Sequence, residues 1–152
     1  MRIRAGIILI QENKVALIER QRAGLDYYVF PGGGVDEGES PEQAAVREAM
    51  EELGIDVLIK QKVAEIQFGP KSRQIYFLVE QTGGKFGSGA GEEYTDANPD
   101  SPEEGLYIPI WMPIDTLPQH ENIYPADVAN LVIRSVKEGW AKDSIISFED
   151  PR

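Results

Sequence analysis

Between Gly33 and Ile55 the chain carries a spacing with chemical content: Gly33, five residues, Glu39, seven residues, then Arg47-Glu48-Ala49-Met50-Glu51-Glu52-Leu53-Gly54-Ile55. On a helix turning about 100° per residue, Glu48, Glu51 and Glu52 share one arc, and Val46, Ala49, Met50 and Leu53 gather on the other side. A solvated face of an amphipathic helix has the same look. Against that reading, Glu48 and Glu52 are like charges four residues apart, a pairing that costs roughly 0.2–0.5 kcal/mol. A divalent ion between them would reverse the sign. The rest of the composition narrows the metal chemistry to carboxylates and backbone oxygen. There is no cysteine, and His120 is the only histidine. Thiolate sites and histidine-rich zinc sites are thereby excluded, and any Ser-His-Asp triad would have to run through His120.

These carboxylates need a helix and a loop to place them. Ser40 to Leu53 reads as that helix, with Ser40 as N-cap, Pro41 in the first turn, Gln43 closing a capping box and Gly54 at the C-terminal end. Ahead of it, Tyr27 to Phe30 reads as a strand stopped by Pro31, and Gly32-Gly33-Gly34 as a loop whose backbone can approach a ligand. Ile7–Ile10 and Val15–Ile18 predict two strands joined by the polar turn 11–14. Further strands are expected over 56–68, 73–80 and 106–112, the second of them central because Ile75 to Val79 is apolar throughout. A helix is expected over 125–136, with Val128, Leu131, Val132 and Val136 facing the core. The stretch 83–105 is glycine-rich and acidic and reads as a long loop.

At Gly33, Glu39, Arg47, Glu48, Glu51, Glu52, Gly54 and Ile55 the sequence resembles the Nudix hydrolase signature, Gly-x5-Glu-x7-Arg-Glu-U-x-Glu-Glu-x-Gly-U, where U is a bulky aliphatic residue. The fit has no gaps, and its one departure is Ala49, smaller than the usual aliphatic. The resemblance implies an α+β fold, an αβα sandwich around a mixed β-sheet. It also implies Mg²⁺- or Mn²⁺-dependent cleavage of a phosphoanhydride bond in a small nucleotide. Carried over residue by residue, Glu51 and Glu52 would be the chief metal ligands, with Glu48 and the Gly32 carbonyl completing the site. Glu48 is the first choice of general base; an acid of the long loop, Glu92, Glu93, Glu103 or Glu104, is its competitor. Arg47 would orient Glu51, and Glu39 would support the loop or a metal.

Outside the signature the reading stays open. Arg20 and Arg22, ending the second strand, are phosphate contacts or ordinary strand-end cations. Tyr27, Tyr28 and Phe30 stack a base or pack the core, and Tyr28 is the base-stacking candidate. The first reading of the substrate is a nucleoside triphosphate, cut to a monophosphate and pyrophosphate. ADP-ribose or another nucleotide sugar is the alternative, because Pro70 lies 16 residues after Gly54, although Gly69-Pro70 is equally an ordinary turn. A non-catalytic nucleotide sensor is the alternative from another class; such relatives commonly lose helix glutamates that this chain keeps.

The 152 residues fit one domain, 41% of them hydrophobic. The formal charge of −11 argues against duplex nucleic acid, whose binding depends on lysine and arginine displacing counterions. The apolar run near the N-terminus is too short for a signal peptide or a membrane span, so a cytoplasmic location is expected. Monomer and homodimer both remain open.

Overall fold

The computed structural model describes residues 1–88, 106–141 and 146–150. Strands β1 (Arg2–Gln11) and β2 (Lys14–Arg22) form the opening hairpin. Glu12 and Asn13 both take left-handed φ, 51° and 59°, the pair that lets a two-residue loop follow the twist of its strands. Then come β3 (Leu25–Val29), β4 (Gly32–Gly34), helix α1 (Pro41–Glu48), β5 (Ile55–Phe68), β6 (Ser72–Gly84), β7 (Leu106–Pro113), β8 (Ile123–Tyr124), helix α2 (Ala126–Glu138) and β9 (Ile146–Asp150). The order across the sheet is β8-β3-β2-β1-β6-β5-β9, with β4 on β1 and β7 on β2. β1 with β6, β3 with β8 and β5 with β9 are parallel and the other pairs antiparallel, so the sheet is mixed and β6 is central, as expected.

Edge occupancy explains how the site opens. β7 runs along β2 from Lys14 to Gln21 and β6 runs along β1 from Arg2 to Leu9, so each hairpin strand has one edge left for its other partners. β1 and β2 use those edges on each other only at Ile10↔Val15 and Gln11↔Lys14. Beyond that point they part. β3 takes the edge of β2 from Ile18 to Arg22, and β4 takes the edge of β1 from Arg4 to Gly6. Phe30 and Pro31 carry the chain across the gap, anchored where Ile7 N–H donates to the Pro31 carbonyl at 2.9 Å. The sheet is thus forked, and the fork is a cleft.

The two helices cover opposite faces. α1 sets Ala44 and Ala45 against Ala5, Ile7 and Leu9, whereas α2 sets Val128, Leu131 and Val132 against Ile8, Val15 and Leu17. Alternate residues of β1 feed the two cores, as a period of two requires. The result is the expected α+β sandwich. No helix among the described residues is long and apolar enough to cross a membrane.

Several local expectations change. The three glycines form a short strand rather than a free loop, because β1 has a vacant edge beside them. Phe30 lies just past the end of its strand. Gly83 and Gly84 extend β6 to the Gly54 end of the helix, where Lys85 N–H donates to the Gly54 carbonyl. Val136 of α2 is exposed, and Ala129 and Ser135 are buried instead. Ile146–Asp150 contributes β9, on the edge of β5. The acidic stretch from 89 to 105, with Glu92, Glu93, Glu103 and Glu104, lies outside the described residues.

The capping box is present in full: the Ser40 hydroxyl accepts from Gln43 N–H at 3.1 Å, and the Gln43 side chain accepts from Ser40 N–H at 2.8 Å. Ser40→Ala is expected to lower stability by about 1 kcal/mol, read as a small drop in the urea midpoint with an unchanged slope.

Candidate active site

The fork holds a cavity of ≈ 1180 Å³. One wall belongs to the β1 side: Arg2, Arg4, Gly32 to Gly34, Ile66, Ser72, Gln74 and Tyr76. The other belongs to the β2 side: Ile18, Arg20, Tyr27, Val29, Tyr107 and the segment Tyr124 to Asp127. Phe30, Phe68, Glu48 and Glu52 complete the lining.

The helix that delivers these acids is not a uniform α-helix. α-Helical geometry ends at Glu48, and Ala49–Leu53 continues as a wider π-turn, closed by Gly54 at φ 76°; such bulges are frequent at functional sites. The burial pattern differs from that of a regular helix. Glu48 and Glu52 are 6% and 7% exposed, alongside buried Ala45, Ala49 and Leu53, whereas Val46 and Met50, which 100° spacing groups with Ala49 and Leu53, are exposed. The glycines make this burial possible. A Cβ on Gly33 would stand 2.3 Å from Glu48 Oε1, so the carboxylate occupies the space where any other residue would have its side chain. Gly32 N–H donates to Glu52 Oε2 at 3.3 Å.

The third glutamate is placed differently. Glu51 is half-exposed at the rim, outside the cavity lining, and accepts from Arg47 Nη1 at 3.2 Å. Among the described residues no three carboxylate or histidine side chains are grouped closely enough to enclose a metal. Arg47 is the hub of the acidic cluster. It donates from Nη1 to Glu48 Oε1 at 2.8 Å, from Nη2 to the Gly34 carbonyl at 2.8 Å, and in a two-pronged pair to Glu39 at 2.8 and 2.9 Å. Glu39 therefore sits on the loop side, outside the cavity, where it also accepts from Asp36 N–H at 3.1 Å. These hydrogen bonds, that of Arg47 first, hold the Glu39 carboxyl down at about 2, while Glu39 and then Glu48 raise Arg47 above its ordinary value against the opposing effect of burial.

A depressed carboxyl stabilises the fold only while ionised. The contribution of Glu39 is complete above the ordinary carboxyl value near 4.5 and disappears as the pH falls toward about 2. Thermal melts of the parent protein and of Glu39→Gln are accordingly expected to differ most above pH 5 and to converge toward pH 2.

Strand parity sorts the remaining candidates. Arg20 and Tyr27 are register partners and both line the cavity; the Arg20 guanidinium carbon lies 3.7 Å from the Tyr107 ring centroid and 5.7 Å from that of Tyr27, a cation–π arrangement. Arg20 Nε is buried with no hydrogen-bond partner among the described residues. Tyr28 points to the other face, where it meets His120 edge-on at 5.5 Å and burial raises its phenol. Phe30 packs edge-on against Tyr76 in the core. Arg22 is exposed at the turn into β3 and does not reach the cavity. Tyr28 and Arg22, expected at the site, thus lie off the cavity, the first by alternation and the second by the end of its strand. Arg2, Arg4, Tyr107 and Asp127 were missed. The period-two series Arg2, Arg4, Gly6 would have signalled the first two; nothing local marks the others.

Comparison with known proteins gives a consistent setting. The NUDIX domain family model matches residues 1–130. The chain is 41% identical over 59 residues to an 8-oxo-dGTP diphosphatase of Proteus vulgaris, covering 38% of this chain and 53% of that protein. It is 25% identical over 133 residues to an RNA pyrophosphohydrolase of Blochmanniella pennsylvanica, covering 74% and 80%. A crystal structure of a NUDIX hydrolase from Nitrosomonas europaea superposes with a TM-score of 0.71 at 20% identity, covering 98% of this chain and 79% of that one. For the first of these relatives the match spans about half of the relative's length.

Proposed function

We infer the reaction from one premise: the chain belongs to the Nudix hydrolase family, whose domain covers residues 1–130. The proposed reaction is hydrolysis of a phosphoanhydride bond in a nucleoside triphosphate, giving a monophosphate and pyrophosphate. The observation that carries it is a pair of nearly buried carboxylates, Glu48 and Glu52, on the wall of a cavity whose glycine backbone leaves room beside them. Their donor set is hard oxygen, which suits Mg²⁺ or Mn²⁺ and no softer ion. Glu52 and Glu48 would hold the ion, with the Gly32 carbonyl beside them and Glu51 joining if it leaves Arg47. When bound, such an ion neutralises phosphate charge and acidifies a water.

The residues of the chain do the rest. Gly32 N–H fixes one oxygen of Glu52, and Arg47 fixes Glu48 and Glu51 while offsetting their mutual repulsion. Glu48 is the proposed general base, since it is a buried acid that stands at the cavity wall and is held in place there by Arg47. Arg20 offers its edge to phosphate oxygens with its face fixed on Tyr107, and Tyr27 and Tyr124, edge-to-face at 6.2 Å, offer ring surface to a base. Two of the relatives above are named for 8-oxo-dGTP, a nucleoside triphosphate, and for RNA, and the first of these fits an acidic protein better.

The ADP-ribose reading rested on Pro70. That residue sits in the β5–β6 hairpin turn after Gly69 at φ 64°, which is sufficient reason for it. The test is a panel of nucleoside triphosphates, ADP-ribose, NADH and dinucleoside polyphosphates with Mg²⁺, products identified by mass. Monophosphate with pyrophosphate is the expected result, lost on chelation by EDTA. AMP with ribose 5-phosphate as the dominant product would transfer the assignment to nucleotide sugars.

A further inference from the structure

We propose that Arg2, Arg4, Ser72 and Gln74 form a second anion-binding subsite in the same cavity. It holds a phosphate group beyond the diphosphate that is cut, and so selects nucleotides with three or more phosphates over nucleotide sugars. This rests on the hydrolase reading for the position of the scissile bond.

Register puts the four residues together. Gly6 is paired with Gly32 and Tyr76, in the row where Glu52 meets the backbone; Arg4 pairs with Gly34 and Gln74 in the next row toward the strand start; Arg2 pairs with Ser72 in the row after that. All four side chains line the cavity. With a rise of about 3.3 Å per residue, Arg4 and Arg2 begin roughly 7 and 13 Å along the strand from Gly6, the direction in which an extended polyphosphate would continue.

The charge balance is the second observation. The chain has 26 acidic and 15 basic residues, so a cavity arginine could easily have been given a carboxylate. Among the described residues Arg47 takes four of the five ion pairs and Lys62 the fifth; Arg2 and Arg4 take none. Two arginines on a cavity wall with no ion-pair partner among the described residues are available for an external anion. Gln74 adds directed donors. The Tyr76 phenol, which burial keeps protonated, donates to Gln74 Oε1 at 2.5 Å. That bond commits the amide oxygen to Tyr76 and leaves the NH₂ end for an acceptor. The distal part of a nucleotide sugar is neutral and would leave the arginines unanswered; a third phosphate would not.

The probes are inorganic tripolyphosphate and pyrophosphate, titrated calorimetrically with MgCl₂ into the parent protein and the Arg2→Gln/Arg4→Gln variant, with thermal melts to verify folding. Tripolyphosphate is expected to bind about tenfold or more weakly to the variant, the scale of a lost charge-assisted contact, while pyrophosphate changes less than about threefold. Equal losses for both anions, or no loss for either, overturn the subsite. If the double variant does not fold, Arg2→Gln alone must weaken tripolyphosphate by about threefold, and an unchanged affinity is then the overturning result. Hydrolysis assayed in parallel separates the two claims. Arginine-dependent tripolyphosphate binding without turnover of any nucleotide retains the subsite and removes the hydrolase reading, whereas turnover without the anion contrast does the reverse.

Discussion

Glu52→Gln is expected to lower turnover by about 10³-fold or more with the fold intact. Glutamine keeps the length of the side chain and an oxygen that can accept from Gly32 N–H, so the 3.3 Å contact of the native carboxylate can be replaced in kind. Its effect on the fold should be small, and removing one of two neighbouring buried negative charges, Glu52 at 7% and Glu48 at 6% exposure, should if anything raise the melting temperature. What is lost is the charge that would grip the cation. Metal assistance is worth several kcal/mol at the transition state, and each 1.4 kcal/mol or so is a factor of ten in rate. The measurement is kcat for the best triphosphate with saturating Mg²⁺, alongside a thermal melt. Full activity in this variant would remove Glu52 from the site.

The second large effect separates two adjacent glycines. Gly33→Ala would bring its Cβ to 2.3–2.7 Å from the carboxylate atoms of Glu48, the mobile end of a side chain, so the strain is relieved by pushing Glu48 away. Activity should fall about 100-fold, as for a catalytic group misplaced by about 1 Å, with a modest loss of stability. Gly32→Ala meets backbone instead: 2.2 Å to the Ala5 carbonyl oxygen and 2.9 Å to Gly6 Cα, at a φ of 153° that residues with side chains rarely adopt. Here the fold should yield first, by about 3 kcal/mol or more, seen as a lower melting temperature. Equal melting temperatures for the two variants would contradict the packing described for β4.

How much of this was legible depends on the range of the determinant. Ser40, Pro41, Gln43 and Gly54 announce a helix because capping is settled within four residues; the polar turn between Ile10 and Val15 announces a hairpin for the same reason. Gly32 to Gly34 looked like a loop because the vacant edge of β1 is a property of the sheet. The π-turn was hidden for a related cause: Ala49 to Leu53 was laid out at 100° per residue, and the wider turn alters which side chains reach inward. At regular spacing Val46 and Met50 fall with Ala49 and Leu53, and Glu51 falls with Glu48 and Glu52. Strand parity separates Tyr27 from Tyr28, and the pairing of Arg20 with Tyr27 decides which of them faces the cavity. Tyr107 and Asp127 arrive from distant strand and helix ends, where one sequence offers no local mark.

The forked hairpin has a consequence for which guests the protein can admit. The walls of the cavity stand on strands that share backbone hydrogen bonds only near Ile10 and Val15, and the crossing at Phe30 and Pro31 spans the opening. Moving the walls apart near Arg2 and Tyr107 would strain side-chain packing and that single crossing, but no ladder between β1 and β2 exists there to be broken. Tolerance for bulky guests is thus set by the stiffness of a seam, and substitutions at Pro31, or at Phe30, which also lines the cavity, should alter which guests fit.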